Sequence, residues 1–231
     1  MLRLLSIVST NYCQSTPSRT AARAGADVIL AEEDSRFGGR LLSDQPSVGD
    51  KPGVDWAEGV IAELGAMPNV RLMPRTTVTG AYDDGTFGAL ERVGLHRAPV
   101  PHLPRECFWR ITARRTILCA GALERPIAFP DNDRPGVMLA SGLRAHVARW
   151  GVNPGRVVIF SNNDSGLETA RALTAMGVEV AAYVDPRPIP VTEAFPVYPN
   201  AQVVGTSGRL GLKTVAIQHA GGTSQIEARS L

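Results

Sequence analysis

Three features of the sequence predict an α/β protein with parallel sheets. The first third alternates an apolar strand, a helix and a second apolar strand. The same alternation restarts after Asn153-Pro154-Gly155, and a run of short strand candidates broken by turn residues separates the two. The expected division is a first domain over residues 1–137, carrying a β insertion, and a second over 138–231.

Each element has its own signal. Leu2 to Val8 is apolar enough for a strand, Ala21 to Ala24 ends a helix, and Asp27 to Glu32 supplies the second strand. Gly25 stands between helix and strand, where a helix C-terminal glycine belongs. Beyond a loop rich in Gly, Ser and Asp, Trp56, Val60, Ile61 and Leu64 recur at helical spacing, with Asp55 as the expected cap. Strands are expected at Val70 to Met73, Thr76 to Tyr82, Ala89 to Val93 and Cys107 to Ile111, and Asp84-Gly85 marks an antiparallel turn. A strand from Thr116 to Cys119 precedes a helix from Leu139 to Arg149 that stops at Gly151. The second unit then reads as strand Arg156 to Phe160, helix Ser165 to Met176, stop at Gly177 and strand Val178 to Val184. Leu212 to Gln218 and Ser224 to Ala228 flank Gly221-Gly222 as a last hairpin.

Composition excludes several function classes. A hydrophobic content of 44%, a charged content of 20% and a formal net charge of +2 show no bias toward nucleic acid or an acidic surface. No apolar run reaches the ~20 residues that cross a bilayer, and Met1 to Gln14 carries no signal-peptide pattern, so a soluble cytoplasmic protein is expected. Cys13, Cys107 and Cys119 lie too far apart for a Cys-x-x-Cys pair, and Cys119 reads as a small buried hydrophobe. His96, His102, His146 and His219 have no ligand spacing. No metal site is expected, and no side chain is assigned a catalytic role.

The chemistry lies in nucleotide-binding signals. A dinucleotide-binding β-α-β unit needs a glycine-rich first turn, so that amides at a helix N-terminus reach a pyrophosphate, and an acidic residue ending the second strand to accept hydrogen bonds from an adenosine ribose. Glu32 and Glu33 meet the second requirement, with Gly38-Gly39-Arg40 at short spacing beyond them; Glu32 is the ribose candidate and Arg40 a candidate neighbour of phosphate or ribose. The first requirement fails. The turn should fall near Ser9-Thr10-Asn11-Tyr12-Cys13-Gln14, which has no glycine, and side chains there crowd the approach of a pyrophosphate. In the second unit, Ser161-Asn162-Asn163-Asp164-Ser165-Gly166 keeps only the last glycine. Asp185 ends the second strand, but Asp164 at the helix start repels a pyrophosphate while serving as an N-terminal cap, so this unit reads as structural.

The sequence as a whole resembles the α subunit of heterotetrameric sarcosine oxidase and its relatives among cyanide synthase, opine oxidase and proline dehydrogenase subunits. The resemblance rests on Ala31 to Leu42 (AEEDSRFGGRLL), Met73 to Val78 (MPRTTV), Gly88 to Val93 (GALERV), Gly121 to Pro126 (GALERP), Asn132 to Ala140 (NDRPGVMLA) and Ser161 to Ser165 (SNNDS). It implies an FAD/NAD(P)-binding, two-dinucleotide-domain (Rossmann-like) fold, here truncated. It also implies the nucleotide-binding part of a flavin-dependent oxidase that demethylates sarcosine to glycine, forms hydrogen peroxide and passes the one-carbon unit to tetrahydrofolate. In the family the α subunit holds NAD, FAD lies in the β subunit, and FMN lies near a subunit interface. The implied partners are therefore a β subunit and smaller subunits. Carried to this sequence, Glu32, Glu33, Gly38, Gly39 and Arg40 match the ribose and phosphate region. Val78 and Thr79 match the strand bordering the adenine, and Ala120-Gly121 matches the backbone approach to a cofactor after the linking strand.

The sequence departs from this pattern at Met1 to Arg19, which looks unrelated and reads as a displaced start, and it lacks the family's folate-binding domain. It is expected to be a fragment. Besides the enzyme-subunit reading with NAD or FAD bound, a degenerate module that keeps only fold and subunit contacts is open. A pyridine-nucleotide disulfide reductase is a third reading, disfavoured by the scattered cysteines.

Overall fold

The computed structural model describes residues 3–8, 15–44, 46–190 and 192–231. The expected glycine turn at Ser9 to Gln14 lies outside them. The chain divides into two compact units, Met1–Ala122 and Leu123–Leu231.

The first unit opens with β1 (Arg3–Val8), α1 (Ser15–Arg23) and β2 (Asp27–Glu32). It continues through α2 (Leu41–Asp44), the short hairpin β3 (Ser47–Val48) and β4 (Lys51–Pro52), α3 (Gly53–Gly65) and β5 (Val70–Met73). Then come β6 (Thr76–Tyr82), β7 (Thr86–Glu91), β8 (Cys107–Thr112) and β9 (Arg115–Cys119). Strands β5, β2, β1 and β9 lie side by side, all parallel, while β6, β7 and β8 form an antiparallel meander.

Strand alternation explains the layering. Val28 and Leu30 of β2 point to one side and pack with Ala22 of α1 and Val60 and Leu64 of α3, whereas Ile29 points to the other, against Met73, Phe87, Ala89 and Ile111. The helices thus cover one face of the parallel sheet and the meander the other. Each fully buried aliphatic side chain here contributes roughly 1.5–3 kcal/mol. Gly25, at φ +82°, ends the turn after α1 as expected. Asp55 does not cap α3: Pro52 holds the cap position without a side-chain bond, and Asp55 lies in the first turn, its charge toward the positive end of the helix. Cys119 is half-buried rather than buried.

The second unit repeats this layering. It contains α4 (Ala140–Trp150), β10 (Val157–Phe160), α5 (Asp164–Ala175), β11 (Val180–Asp185), β12 (Val197–Pro199), β13 (Gln202–Ser207), β14 (Thr214–His219) and β15 (Gly222–Glu227). Leu143, Ala170 and Leu173 from the helices pack on one side of the parallel strands β10, β11 and β12. Val203, Val215 and Ile217 from the antiparallel strands β13, β14 and β15 pack with Val158 and Val184 on the other. Residues 123–137 group with this unit. Arg134 donates to the Gly208 carbonyl and, at 3.1 Å, to Thr206 Oγ1. A Cβ at Gly136 would lie 2.7 Å from the Arg229 carbonyl.

Asn163, not Asp164, caps α5, accepting the Ser165 amide at 3.1 Å. Gly166 is required by contact, since a Cβ there would stand 2.2 Å from Ser161 Cβ. Gly166→Ala is expected to destabilise the second unit by about 1–3 kcal/mol through overpacking. Adding Ser161→Gly should recover part of that loss in a denaturant titration.

Candidate functional site

The parallel sheet of the first unit brings Glu32, at the end of β2, and Ala120-Gly121, just beyond β9, to its carboxyl edge. Val8 at the end of β1 is in register with Glu32 on one side and Cys119 on the other. The chain leaves β1 for β2 and later returns on the opposite flank as β9, which makes the end of β1 a switch point of the kind where open α/β sheets take ligands. Glu32 therefore lies on the same edge as Ala120-Gly121, which are exposed, with Gly121 at φ +70°.

Glu32 is fully buried. Its Oε1 accepts the Asp34 amide at 3.1 Å, and its Oε2 has no hydrogen-bond partner. Burial pushes its carboxyl up to about 7; the charges of Asp34 and Glu33 push the same way, and the Asp34 and Glu33 amides oppose them. The structure separates Glu33 from Glu32: Glu33 lies just beyond the end of β2 and is exposed, and its contribution is a backbone carbonyl that accepts Arg92 Nη2 at 2.5 Å.

The other candidates have local roles. Gly38 and Gly39 adopt φ +128° and +51°, and a Cβ at Gly38 would stand 3.1 Å from Leu42 Cδ2, so the turn into α2 depends on a glycine there. Arg40 is paired with Asp44 at 2.8 Å. Val78 packs against the cluster of Met73, Phe87 and Ala89. Thr79 is the exposed residue at a register shift between Val78 and Gly80, with Oγ1 3.3 Å from the Gly88 carbonyl.

Two arginines missed in the sequence brace the acidic turn. The Arg75 amide donates to the Asp34 carbonyl at 2.8 Å, and the Arg92 amide to the Arg75 carbonyl at 2.9 Å. With the Arg92–Glu33 contact, these bonds tie the start of β6 and the end of β7 to the strand end that carries Glu32. Both arginines fall inside segments that carry the family resemblance, which was the available signal.

The second unit offers a contrast at the matching position. Asp185, also fully buried, accepts the Arg187 amide at 2.9 Å, Arg187 Nε at 3.0 Å and Nη2 at 2.9 Å, and the Tyr183 hydroxyl at 3.0 Å. Arg187 Nη2 also reaches Asp164 at 2.9 Å. Burial would raise the Asp185 carboxyl, but the bonds from Arg187 and Tyr183 outweigh it and hold the group below its usual range. This carboxylate is saturated by its own chain, whereas Glu32 has a bare oxygen.

A serine–histidine pair in the last hairpin is not a nucleophile and base. His219 Nε2 lies 2.8 Å from Ser224 Oγ, but Nδ1 accepts the Gly221 amide. In the neutral ring Nε2 then carries the proton and donates to the serine. Among the described residues no group of three His, Cys, Asp or Glu side chains is placed to hold a metal, and no helix is long and apolar enough to cross a membrane.

No family model matches the chain. It is 45% identical over 217 residues to the sarcosine oxidase subunit alpha of Rhizobium meliloti (strain 1021), covering 92% of this chain and 22% of that protein. The chain is a relative of the sarcosine oxidase α subunit. The corresponding subunit of Corynebacterium sp. (strain P-1) is 36% identical over 174 residues, covering 74% of this chain and 18% of its own length. The chain thus spans about a fifth of the length of these curated relatives. L-proline dehydrogenase from P. horikoshii shares the fold at TM-score 0.65 and 19% identity, over 98% of this chain and 40% of that one. This α-subunit relative accordingly has the fold of FAD/NAD(P)-binding oxidoreductases.

Proposed function

We propose that this chain is the nucleotide-binding part of the α subunit of a flavin-dependent, sarcosine oxidase-type amine oxidase. The reaction served is the oxidative demethylation of sarcosine to glycine with formation of hydrogen peroxide and transfer of the one-carbon unit to tetrahydrofolate. The chain works in the cytoplasm beside a β subunit and smaller subunits. Its role is to hold the nucleotide, with no catalytic role given to any of its described side chains; FMN at a subunit interface and FAD in the partner belong to the whole enzyme.

The observation that carries this reading is the bare, buried Oε2 of Glu32 at the carboxyl edge of the parallel sheet. A fully buried acceptor without a donor is unfavourable unless a ligand supplies the donor. An adenosine ribose presents two adjacent hydroxyls suited to that role. NAD is the expected nucleotide and FAD the other candidate. Glu32 would hold the ribose, and Ala120-Gly121 would let backbone approach the cofactor. Gly38, Gly39 and Arg40 would shape the neighbouring loop, with Val78 and Thr79 toward the adenine. Bound there, a nicotinamide or flavin nucleotide supplies redox chemistry that the side chains of this edge lack.

The test is a titration of the purified chain with NAD and with FAD, followed by calorimetry. Micromolar affinity for either supports the proposal. No binding of either at millimolar concentration contradicts it and favours a module that keeps only the fold.

A further inference from the structure

We propose that nucleotide binding in the first unit expels a proton from Glu32, so that affinity for the nucleotide rises with pH. The inference rests on the nucleotide-binding reading above and adds a control to that same site.

The geometry leaves Glu32 without compensation for a negative charge. The carboxyl is fully buried, Oε1 accepts the Asp34 amide at 3.1 Å, and Oε2 has no hydrogen-bond partner. Among the described residues, the charged groups acting on it are Glu33 and Asp34, both negative. On the side of β5 the neighbouring pair is Ala31 with Met73, which brings no charge, and Thr76 at the start of β6 turns its hydroxyl to the Pro74 carbonyl. Of the nearby arginines, the Arg92 guanidinium meets the Glu33 carbonyl, and Arg75 contacts the acidic turn through its backbone amide, which donates to the Asp34 carbonyl. A carboxyl in such a place holds its proton near neutrality, in line with the upward displacement to about 7.

The ligand asks for the opposite state. Two ribose hydroxyls donating to one carboxylate need lone pairs on its oxygens, and the proton of a neutral carboxyl occupies one of them. The balance is therefore Glu32–COOH plus nucleotide going to the carboxylate–diol complex plus one proton passed to the buffer. No bond to carbon changes. Asp185 provides the internal contrast, because Arg187 keeps it ionised with no ligand at all.

The experiment is calorimetric titration of the chain with NAD and FAD at pH 5.5 and pH 8.5, and at pH 7 in two buffers of different ionisation enthalpy. For the nucleotide that binds, affinity is expected to tighten about thirtyfold between pH 5.5 and pH 8.5, with about half a proton released per nucleotide at pH 7. Glu32→Asp, which keeps the carboxylate, should keep a pH slope, and Glu32→Gln should bind weakly with none. Equal affinity at both pH values, with heats independent of buffer, overturns the proton release and leaves the nucleotide reading standing. Absence of NAD and FAD binding at pH 8.5 overturns both.

Discussion

Glu32→Gln is expected to stabilise the nucleotide-free first unit at pH 8 and to abolish most of its nucleotide affinity. The sign follows from the direction of the shift. The carboxyl of Glu32 is raised from 4.5 to about 7 on folding, so the folded state holds the proton more tightly than the unfolded chain. The associated stability is fully present below 4.5 and is lost as pH rises through about 7. By pH 8 about 3 kcal/mol of folding stability has been lost relative to the fully protonated carboxyl. Glutamine carries no charge to desolvate, and its carbonyl still accepts the Asp34 amide. Urea titrations should show the wild-type first unit weakening between pH 5 and pH 8, while the variant stays flat. The same substitution removes a charged acceptor, worth about 1.5–3 kcal/mol per bond, from the ribose contact. Stability and binding thus move in opposite directions, an outcome that a merely structural glutamate would not give.

Arg187→Met is expected to have the opposite character, destabilising the second unit without touching nucleotide affinity. It leaves Asp185 buried with only the Tyr183 hydroxyl and the residue 187 amide as donors. Breaking a buried pair from one side costs about 3–5 kcal/mol; because the Arg187 side chain is 38% exposed, water can partly replace it, and the lower end applies. Adding Asp185→Asn should restore much of the loss, since no buried charge then remains. The pH dependence also reverses relative to Glu32. Asp185 is held below 3.8, so its stabilisation is present above that value and is lost as pH falls through its lowered pKa. Acid titration of the wild type should therefore weaken the second unit in a range where the first has gained its full contribution from Glu32.

The elements that hydrophobic period alone defines were legible in the sequence. Asp27–Glu32, Val70–Met73 and Thr76–Tyr82 form strands at the expected bounds, because short runs rich in apolar and β-branched residues, bounded by turn signals, point to strands. The strands β12 and β13 were missed. The first has three residues, and the second is broken by a register shift between Val203 and Gly205 and carries polar Thr206 and Ser207, so neither shows a clean period. Cap assignments failed for a related reason. Asp55 and Asp164 are the right residue type near a helix start, but the cap is fixed by backbone geometry one to three residues away, which places Pro52 and Asn163 there instead. At the candidate site, the acidic strand end at Glu32 was legible as a pattern of residue types. Its bare oxygen and the bracing by Arg75 and Arg92 were not, because both depend on contacts between segments far apart in the chain. The saturation of Asp185 by Arg187 was equally hidden, although the two residues are neighbours in sequence, since it needs the chain to turn back at the end of β11.

A crystal structure of this chain grown with NAD at pH 8.5 would show directly which carboxylate meets the ribose. The adenosine ribose is expected at the carboxyl edge of β2, with its hydroxyls within hydrogen-bond distance of Glu32 Oε2 and Asp185 still closed by Arg187. A nucleotide seated against Asp185, or one bound in the first unit with Oε2 left bare, would contradict it.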